Sequence, residues 1–316
     1  MNNKEGANRL NHIISETIGP LIGSKCALYD TPFYKNIGDV LIWQGELSFL
    51  EENNIDILDF ADYHTYIYKG FSEDVTILFQ GGGNIGDLYH EHTDMLLRLV
   101  DDYPNNRIIV FSQTVHYQDK NLFINDFKKL ARHKDLFFCA RDYEVYNRIK
   151  PIIGEKALCL PDMAFCINPN FLQQWALPEY DKYLYIKRND VEAGKSGNIS
   201  AYNKVSDWPC FETKFLWSNV GNTLFDRSFK YMPFFQSYIR DPWKRYAKNS
   251  FKNLMIKDGV EFISPFRNVT SERLHGCILS ILLGKKVTVV NNSYGKNLNF
   301  YNSWLKDFEN VSLLNL

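Results

Sequence analysis

Apolar residues in the first half of the chain form short runs that alternate with longer stretches of helical periodicity. The run KCALYD (25–30) precedes the helix-like stretch DVLIWQGELSFLEENN, and LYHEHTDMLLRLVDDYP shows the same helical spacing after a second loop. Nearly all-apolar strands separated by helices of this length indicate a parallel sheet covered on both faces. The pattern therefore predicts a doubly wound α/β domain. Its other strands are predicted at IDILDF (55–60), DVTILF (74–79), NRIIVFSQ (106–113), LFFCARD (136–142) and KALCLPDMAF (156–165).

A second α/β pattern follows the segment NPNFLQQWALPEYDK (168–182), whose two prolines are typical of a linker. Because 316 residues is about twice the usual ~150-residue domain, we predict an N-terminal domain at 1–178 and a C-terminal domain at 179–316. Ligands of open parallel sheets bind at the carboxyl ends of the strands. The predicted fold class is therefore α/β, with two Rossmann-like domains whose parallel sheets face a cleft. The second pattern comprises YLYIKR (183–188), an aromatic-rich helical region near 221–250, VEFISPF (260–266) and the strand in VTVVNNSYGK.

The composition is that of an ordinary globular protein, with 45% hydrophobic and 23% charged residues. A formal net charge of -1 gives no indication of a nucleic-acid partner. Six cysteines without a C-x-x-C spacing indicate reduced thiols, and the sequence suggests neither a metal site nor a cofactor. The polar N-terminus lacks a signal-peptide pattern, and no apolar run is long enough to span a membrane. We therefore expect a cytoplasmic protein, with contact to a membrane surface left open.

The string NIGD occurs twice, at 36–39 and at 84–87, and the second copy follows three consecutive glycines at 81–83. Each copy is predicted to join a strand to a helix. Glycine there lets backbone N–H groups approach a ligand, and the aspartate caps the helix start. The alternative is that both strings only form tight turns. The spacing is neither G-x-G-x-x-G nor that of a P-loop. Candidate ligand-binding residues in these strings are Asn36, Asp39, Gly82, Gly83, Asn84 and Asp87.

The segment VEFISPFRNVTSERLHG is predicted to form a strand, a loop capped by Thr270 or Ser271, and a helix that begins near Glu272. Arg273 and His275 then fall in the first helical turn. Cations at a helix N-terminus oppose the macrodipole by roughly 0.3 to 1 kcal/mol each. An anionic ligand would remove that conflict, so the pair indicates an anion site. The alternative is a histidine packed in the core and an arginine paired with Glu272.

Polar residues after four other strands extend the list of candidates. Arg141 could bind a carboxylate or phosphate, or could instead pair with Asp142 or Glu144. Asp162 is predicted to cap a turn. The remaining candidates are Ser293 and Lys296 in NNSYGK and, at the expected cleft edge, His116.

The order of these motifs resembles the polysaccharide pyruvyl transferase family. The resemblance is carried by NIGD after the first strand, QGGGNIGDLY, CARDYEVY, and ERLHG followed by a strand ending in NNSYGK, and it extends from about Tyr29 to Trp304. It implies a two-domain architecture like that of GT-B glycosyltransferases. It also implies transfer of a pyruvyl group from phosphoenolpyruvate to two sugar hydroxyls, with formation of a ketal and release of phosphate.

The resemblance implies that Arg273 and His275 form the donor-binding pair. Phosphoenolpyruvate carries a carboxylate and a phosphate, so Arg141 and Lys296 are the further candidate cations, with Ser293 beside them. His275 is the candidate acid for the methylene carbon. Either Asp39 or Asp87 is a base toward the sugar, or both are only caps. The N-terminal domain is expected to hold the acceptor, and phosphoenolpyruvate is a substrate, so no cofactor is expected.

The expected acceptor is a lipid-linked saccharide in capsule or exopolysaccharide synthesis. The stretch YMPFFQSYIRDPWKRYAKNSFK could dock at the inner face of the membrane through its cations, or could be an ordinary amphipathic helix. Two rival functions remain open, namely a nucleotide-sugar glycosyltransferase and a noncatalytic sugar- or anion-binding protein. The cations of this stretch are Arg240, Lys244, Arg245 and Lys248.

Overall fold

The computed structural model describes residues 1–189, 201–212, 236–291 and 295–314. Its contacts group the chain into two compact units. The first unit contains Met1–Thr31, Ile42–Ile167 and Asn299–Phe308, and the second contains Pro32–Leu41, Asn168–Leu298 and Glu309–Leu316. The predicted boundary between residues 178 and 179 stays a prediction. The sequence pattern did not indicate that Pro32–Leu41 belongs to the second unit or that Asn299–Phe308 belongs to the first.

Helices and strands alternate along most of the described chain. The first part contains α1 (Asn3–Ile18), β1 (Lys25–Tyr29), α2 (Ile37–Glu52), β2 (Asp56–Ala61), β3 (Thr76–Phe79), β4 (Gly82–Gly86), α3 (His90–Asp102), β5 (Ile108–His116), α4 (Lys120–Arg132), β6 (Leu136–Ala140), α5 (Tyr143–Ile153) and β7 (Ala157–Cys159). The remainder contains α6 (Pro169–Gln173), β8 (Tyr180–Ile186), β9 (Lys204–Ser206), α7 (Pro209–Glu212), α8 (Gln236–Tyr246), α9 (Lys252–Ile263), β10 (Phe266–Ser271), α10 (Leu274–Leu282), β11 (Lys286–Val290), α11 (Lys296–Phe300) and β12 (Val311–Leu314).

The first unit is built on a seven-stranded parallel sheet in the order β2-β1-β3-β5-β6-β7. Strand β5 pairs with β3 through its first residues and with β4 through its last, so β4 extends the sheet beyond β3. The central strands are buried along almost their whole length because both faces are covered. The predicted doubly wound pattern of this half is confirmed.

The second unit is built on a five-stranded parallel sheet in the order β12-β11-β10-β8-β9. The predicted strand at 260–266 is wrong, because α9 continues to Ile263 and the strand begins at Phe266. Met255, Ile256, Val260 and Ile263 are buried at helical spacing. Read alone, the short apolar run VEFI does not distinguish a strand from the end of a buried helix. The α/β fold class with parallel sheets is confirmed.

Helix α1 was not predicted from the sequence. The side chain of Asn2 accepts a hydrogen bond from the backbone N–H of Glu5, and the Glu5 carboxylate accepts one from the N–H of Asn2. This capping box starts the helix, and Leu10, Ile14 and Ile18 form its buried face. The signal N-x-x-E ahead of an apolar periodicity was therefore present in the sequence.

The structure also describes the cysteines, the length of the helices and the basic stretch. All six cysteines are free thiols. Within the described ranges, no helix is long and apolar enough to cross a membrane. The predicted basic stretch is helical in its described part, where Lys244 is buried, whereas Arg245 is exposed.

Gly45 allows α2 to approach the backbone that follows β7. A Cβ at this position would overlap the carbonyl oxygen of Met163 and lie 2.9 Å from the Cα of Ala164. Helix propensity alone would favour alanine by about 1 kcal/mol. We expect Gly45→Ala to lower the free energy of unfolding by about 2 kcal/mol or more, because the contact is with backbone. Urea unfolding measures this, with Gly70→Ala as the control expected to change it by less than about 0.5 kcal/mol. A stabilised Gly45→Ala protein would contradict the packing.

Candidate functional site

The turn between β10 and α10 carries Arg273 and His275. Helix α10 begins at Leu274, with Arg273 in an extended conformation as its N-cap. The prediction of a helix start near Glu272 with a Thr270 or Ser271 cap is wrong. The hydroxyl of Ser271 accepts a hydrogen bond from the N–H of Arg273 (3.0 Å) and donates one to its carbonyl (2.8 Å). These two bonds fix the sharp turn at the end of the strand.

Glu272 anchors this turn to its neighbours. Its carboxylate accepts hydrogen bonds from the hydroxyl of Tyr185 (2.6 Å) and the backbone N–H of Arg188 (3.0 Å). The side chain of Asn297, which follows β11, donates to the carbonyl of Glu272 (2.8 Å). Glu272 therefore connects the ends of three adjacent strands, and the predicted alternative of an Arg273–Glu272 pair is wrong.

Arg273 forms a buried ion pair with Asp207, the residue that follows β9. Its Nε donates to Oδ1 of Asp207, and a terminal nitrogen donates to Oδ2 at 2.6 Å. Arg273 is only 8% exposed and Asp207 only 2%. The inference that Arg273 is an uncompensated cation at the helix tip is therefore wrong, because Asp207 neutralises it. Its role in donor binding stays a prediction, and Asp207 had no role in the sequence analysis.

His275 packs against the first NIGD string, which belongs to the same unit. A Cβ on Gly38 would overlap Nδ1 of the imidazole and lie 2.9 Å from its Cγ. Asn36 holds this backbone, because its side-chain oxygen accepts from the N–H of Gly38 (2.9 Å) and its carbonyl accepts from Val40 (3.1 Å). The half-buried imidazole thus lies directly on the first turn of α2. Two motifs far apart in sequence meet here.

Asp39 has a role that neither sequence alternative described. Its Oδ2 accepts hydrogen bonds from the Tyr34 hydroxyl (2.8 Å) and the Asn36 amide nitrogen (2.8 Å). Asn36, rather than Asp39, caps α2 through the N–H of Gly38. Asp39 is buried and orients both polar side chains of the loop. Its role as a base stays a prediction.

Two lysines of the second unit flank these motifs. Lys35 directly precedes Asn36 and is half-buried, and within the described parts of the chain it has no ion pair. Burial lowers the pKa of its amino group, and the nearby Cys210 opposes that shift. Lys296 is half-buried at the start of α11. Lys35 was missed, although its position beside NIGD was visible in the sequence. The predicted Ser293 lies outside the described residues.

The second NIGD string belongs to the first unit and differs from the prediction. Gly82, Gly83 and Asn84 lie in strand β4 rather than in an open loop, and α3 begins only at His90. A Cβ on Gly86, whose φ is 152°, would overlap the carbonyl oxygen of His116. Glycine is therefore required here because β4 and β5 pair closely at Gly86 and His116. Ligand contacts by Gly82, Gly83 and Asn84 stay predictions.

Asp87 caps a neighbouring loop instead of its own helix. Its Oδ2 accepts from the N–H groups of Gln118 (2.6 Å) and Asp119 (2.9 Å), in the loop between β5 and α4. Partial burial acts to raise the pKa of Asp87, but these amides, with the nearby His116, outweigh it and the pKa is lowered. The predicted capping of the following helix is wrong. Half-buried His116 ends β5, and its place in a ligand site stays a prediction.

Arg141 is buried in the first unit with its own counter-charge. It donates to Asp162 (3.0 Å) and twice to the hydroxyl of Thr114 (3.0 and 2.7 Å). The predicted alternative partners are wrong, and Asp142 instead caps α5 through Val145. Asp162 also accepts from the N–H of Ala164, so its predicted capping is confirmed. An anionic donor would compete with Asp162 for Arg141, whose donor role stays a prediction.

Two buried polar arrangements near β1 and β3 had no role in the sequence analysis. Nδ1 of His92 lies 2.8 Å from both carboxylate oxygens of Asp30, which follows β1 with φ 67°. The fully buried Glu46 of α2 accepts from the N–H of Gly81 (2.7 Å). Its second oxygen, Oε2, has no hydrogen-bond partner among the described residues. Burial raises the pKa of Glu46 well above its ordinary value.

The family model of polysaccharide pyruvyl transferase matches residues 36–294. The match covers most of the chain and both motif groups described above. The chain therefore belongs to the polysaccharide pyruvyl transferase family and is a polysaccharide pyruvyltransferase enzyme. The resemblance predicted from the motifs is confirmed.

Two curated relatives agree with this assignment, and one solved structure has a similar fold. The chain is 28% identical over 292 residues to the Bacillus subtilis (strain 168) protein named "Putative pyruvyl transferase EpsO", covering 90% of this chain and 87% of that protein. It is 28% identical over 304 residues to Pyruvyl transferase 1 of Schizosaccharomyces pombe, covering 89% and 70%. An uncharacterized protein of Klebsiella pneumoniae has a similar crystal structure, with a TM-score of 0.64, 21% identity, and coverage of 98% and 99%. At that identity the third likeness supports the fold alone.

The raised pKa of Glu46 has a measurable consequence. Between its ordinary pKa of 4.5 and its raised native pKa, the carboxyl group is ionised in the unfolded chain and protonated in the native protein. In that interval the group lowers the free energy of unfolding by about 1.4 kcal/mol for each unit of rising pH. Glu46→Gln keeps the shape of the side chain but removes its ionisable group, and with it this contribution to the pH dependence of the free energy of unfolding. We expect the stability of Glu46→Gln relative to the native protein to increase between about pH 5 and pH 7 in urea unfolding.

The control is Glu51→Gln, a substitution at an exposed position of the same helix. Its stability difference is expected to change little over the same range. A pH-independent difference for Glu46→Gln would show that Glu46 is ionised in the native protein.

Proposed function

We propose that the enzyme transfers the pyruvyl group of phosphoenolpyruvate to two hydroxyls of one sugar in a polysaccharide precursor, forming a cyclic ketal and releasing phosphate. The observation that carries the proposal is the packing of the His275 imidazole on Gly38 at the tip of α10. It brings a titratable acid, a helix N-terminus and the flexible cation Lys35 into one unit. Family membership supplies the pyruvyl transfer, and these groups suit a dianionic donor.

The donor requires positive charge that is not already neutralised. Lys35, which has no ion pair among the described residues, is the first candidate, and the first turn of α10 adds the partial charge of its N–H groups. Lys296, at the start of α11, is retained as a further proposed contact to the donor. Arg273 contacts the donor in this proposal while Asp207 holds its guanidinium in a fixed plane. The predicted participation of Arg141 and Ser293 is retained as part of the proposal.

The proposed chemistry begins with a proton from His275 to the methylene carbon of phosphoenolpyruvate. The adjacent carbon becomes oxocarbenium-like, and the first sugar hydroxyl adds to it. Phosphate then leaves and the second hydroxyl closes the ketal. One hydroxyl proton replaces the proton given by His275, and the other departs with phosphate. Asp39 or Asp87 is the proposed base toward the sugar, and general acid–base groups of this kind contribute roughly 10²- to 10⁴-fold each.

The relatives and the basic helix support the proposal for the acceptor. The relative EpsO is named a putative pyruvyl transferase. For this chain we propose that the acceptor is an exopolysaccharide or capsule precursor on a lipid carrier. Arg245 of α8 is exposed and available to an anionic surface. The proposed location is the inner face of the membrane, on the cytoplasmic side. Phosphoenolpyruvate acts as donor substrate, and the proposal includes no cofactor.

The decisive experiment is mass spectrometry of lipid-linked or synthetic glycans incubated with the enzyme and phosphoenolpyruvate. The expected product carries one pyruvate ketal, with release of one phosphate. A nucleotide-sugar glycosyltransferase would instead turn over a nucleotide sugar and leave phosphoenolpyruvate unused, and that result would refute the proposal.

Two substitutions test the acid assigned to His275. His275→Asn removes the transferable proton and is expected to lower kcat by at least about 100-fold. Gly38→Ala removes no functional side chain but displaces the imidazole, and a comparable loss of about 100-fold is expected from misplacement alone. Steady-state kinetics measure both, and circular dichroism checks the fold. Gly70→Ala is the matched control. A noncatalytic binding protein would lose nothing on either change.

A double substitution separates donor binding by Arg273 from its structural pairing. Arg273→Met alone leaves Asp207 buried without its counter-charge, which costs about 3 to 5 kcal/mol of stability. Adding Asp207→Asn removes that stranded charge, so the double variant is expected to recover much of the stability. If Arg273 contacts the donor, the KM for phosphoenolpyruvate stays raised in the double variant, by about tenfold or more. A KM restored to the native value would make Arg273 purely structural.

A further inference from the structure

A concavity with a volume of about 730 Å³ lies on the sheet of the second unit. This volume is within the range of small-molecule sites, about 300 to 1,000 Å³. Strands β8, β10, β11 and β12 line it, together with Tyr202 and the residues that precede β12. All of them belong to the second unit. None of the lining residues is a candidate ligand-binding residue of the sequence analysis.

The lining differs from the usual surface of a parallel sheet. Asn268 and Thr270 on β10 lie in register with Lys286 and Thr288 on β11, and Thr288 lies in register with Ser312 on β12. The positions between them are buried valines, as expected for a covered face. Side chains alternate across a strand, so the polar positions share one face. Three strands thus present hydroxyl and amide groups to the concavity.

Two tyrosines add aromatic surface to this polar face. Tyr202 is held in place, because its hydroxyl donates to Thr270 (3.0 Å) and its ring packs on buried Tyr185 at 5.0 Å between centroids. Tyr183 on β8 is 47% exposed. The π-face of an aromatic ring is electronegative and attracts the weakly positive C–H groups of a sugar ring. Hydroxyl and amide groups at the ring edge pair with sugar hydroxyls.

The charges of the concavity do not favour a second anion site. The described lining contains one cation, Lys286, and one anion, Glu309, so its charged side chains sum to zero. A neutral polyhydroxylated ligand fits this combination of balanced charge, hydroxyls, amides and exposed tyrosine. We propose that this face of the C-terminal sheet is a subsite for a neutral sugar residue of the polysaccharide acceptor, separate from the sugar that receives the pyruvyl group.

The separation follows from strand geometry. The lining residues of β10 lie about 3 Å (Thr270) to 10 Å (Asn268) before the strand ends at Ser271, and the turn with Arg273 and His275 lies beyond that end. The subsite therefore holds a part of the acceptor that lies along the face of the sheet, outside the turn. Its role as an acceptor subsite rests on the proposed function, although its binding of sugar does not. Loss of this contact is expected to raise the KM of long acceptors and to leave kcat and the KM of phosphoenolpyruvate unchanged.

The test compares Tyr183→Ala with Tyr180→Ala. Both tyrosines lie on β8 and are similarly exposed, at 47% and 53%, but only Tyr183 lines the concavity. Direct binding is measured first on an array of neutral di- to hexasaccharides of glucose, galactose and mannose. We expect the native protein and Tyr180→Ala to bind alike, and Tyr183→Ala to bind about tenfold more weakly. Absence of binding by the native protein, or equal binding by all three, overturns the proposal.

Kinetics with short and long acceptors then separate the two proposals. If pyruvyl transfer occurs and Tyr183→Ala raises the KM of the long acceptor only, both stand. If transfer is never found but array binding depends on Tyr183, the proposed function fails and the sugar subsite remains. If Tyr183→Ala instead alters the elution volume in size-exclusion chromatography, a second copy of the chain covers this face and the subsite is refuted.

Discussion

The contact between Gly38 and the imidazole of His275 is the interaction on which the proposed chemistry depends. Because glycine has no Cβ, the ring lies directly on the first turn of α2. Asn36 fixes that turn from one side, and the Ser271 hydroxyl fixes the turn ahead of α10 from the other. The orientation of the ring is thus set by two elements that are remote in sequence. Proton transfer to carbon requires such positioning, since an error of about 1 Å can cost about 100-fold.

Both sheets place an arginine beyond the carboxyl end of a strand and neutralise it within the same sheet. Arg141 follows β6 and pairs with Asp162 beyond β7, while Arg273 follows β10 and pairs with Asp207 beyond β9. Burying such pairs is favourable only with good geometry and further hydrogen bonds, which Thr114 and backbone amides supply. The two arginines therefore contribute hydrogen-bond donors with fixed orientations more than they contribute net charge. In the proposed function, attraction of the dianionic donor therefore depends on other groups, such as Lys35 and His275.

Much of the fold could be predicted because its signals are local. Long apolar strands such as β5 and the periodicity of α3 carry their own pattern, so their type and approximate bounds followed from the sequence. The prediction failed where the pattern was short, as at VEFI in α9 or in the three residues of β9. Asp207 was missed for the same reason, since it follows a strand too short to recognise. The partners of Arg141 and Arg273 could not be predicted, because they depend on strand order.

The two NIGD strings show why a short motif does not determine a site by itself. The first starts α2, and the space that Gly38 leaves open is filled by the His275 side chain. The second forms β4, and the space beside Gly86 is filled by the carbonyl of His116. Four identical residues adopt a helix start in one case and a strand in the other because their neighbours in space differ. In both strings glycine is required for close approach, but only at Gly38 is the approaching group one that can transfer a proton. The chemistry of the approaching group, more than the motif, therefore distinguishes the proposed donor site from a structural contact.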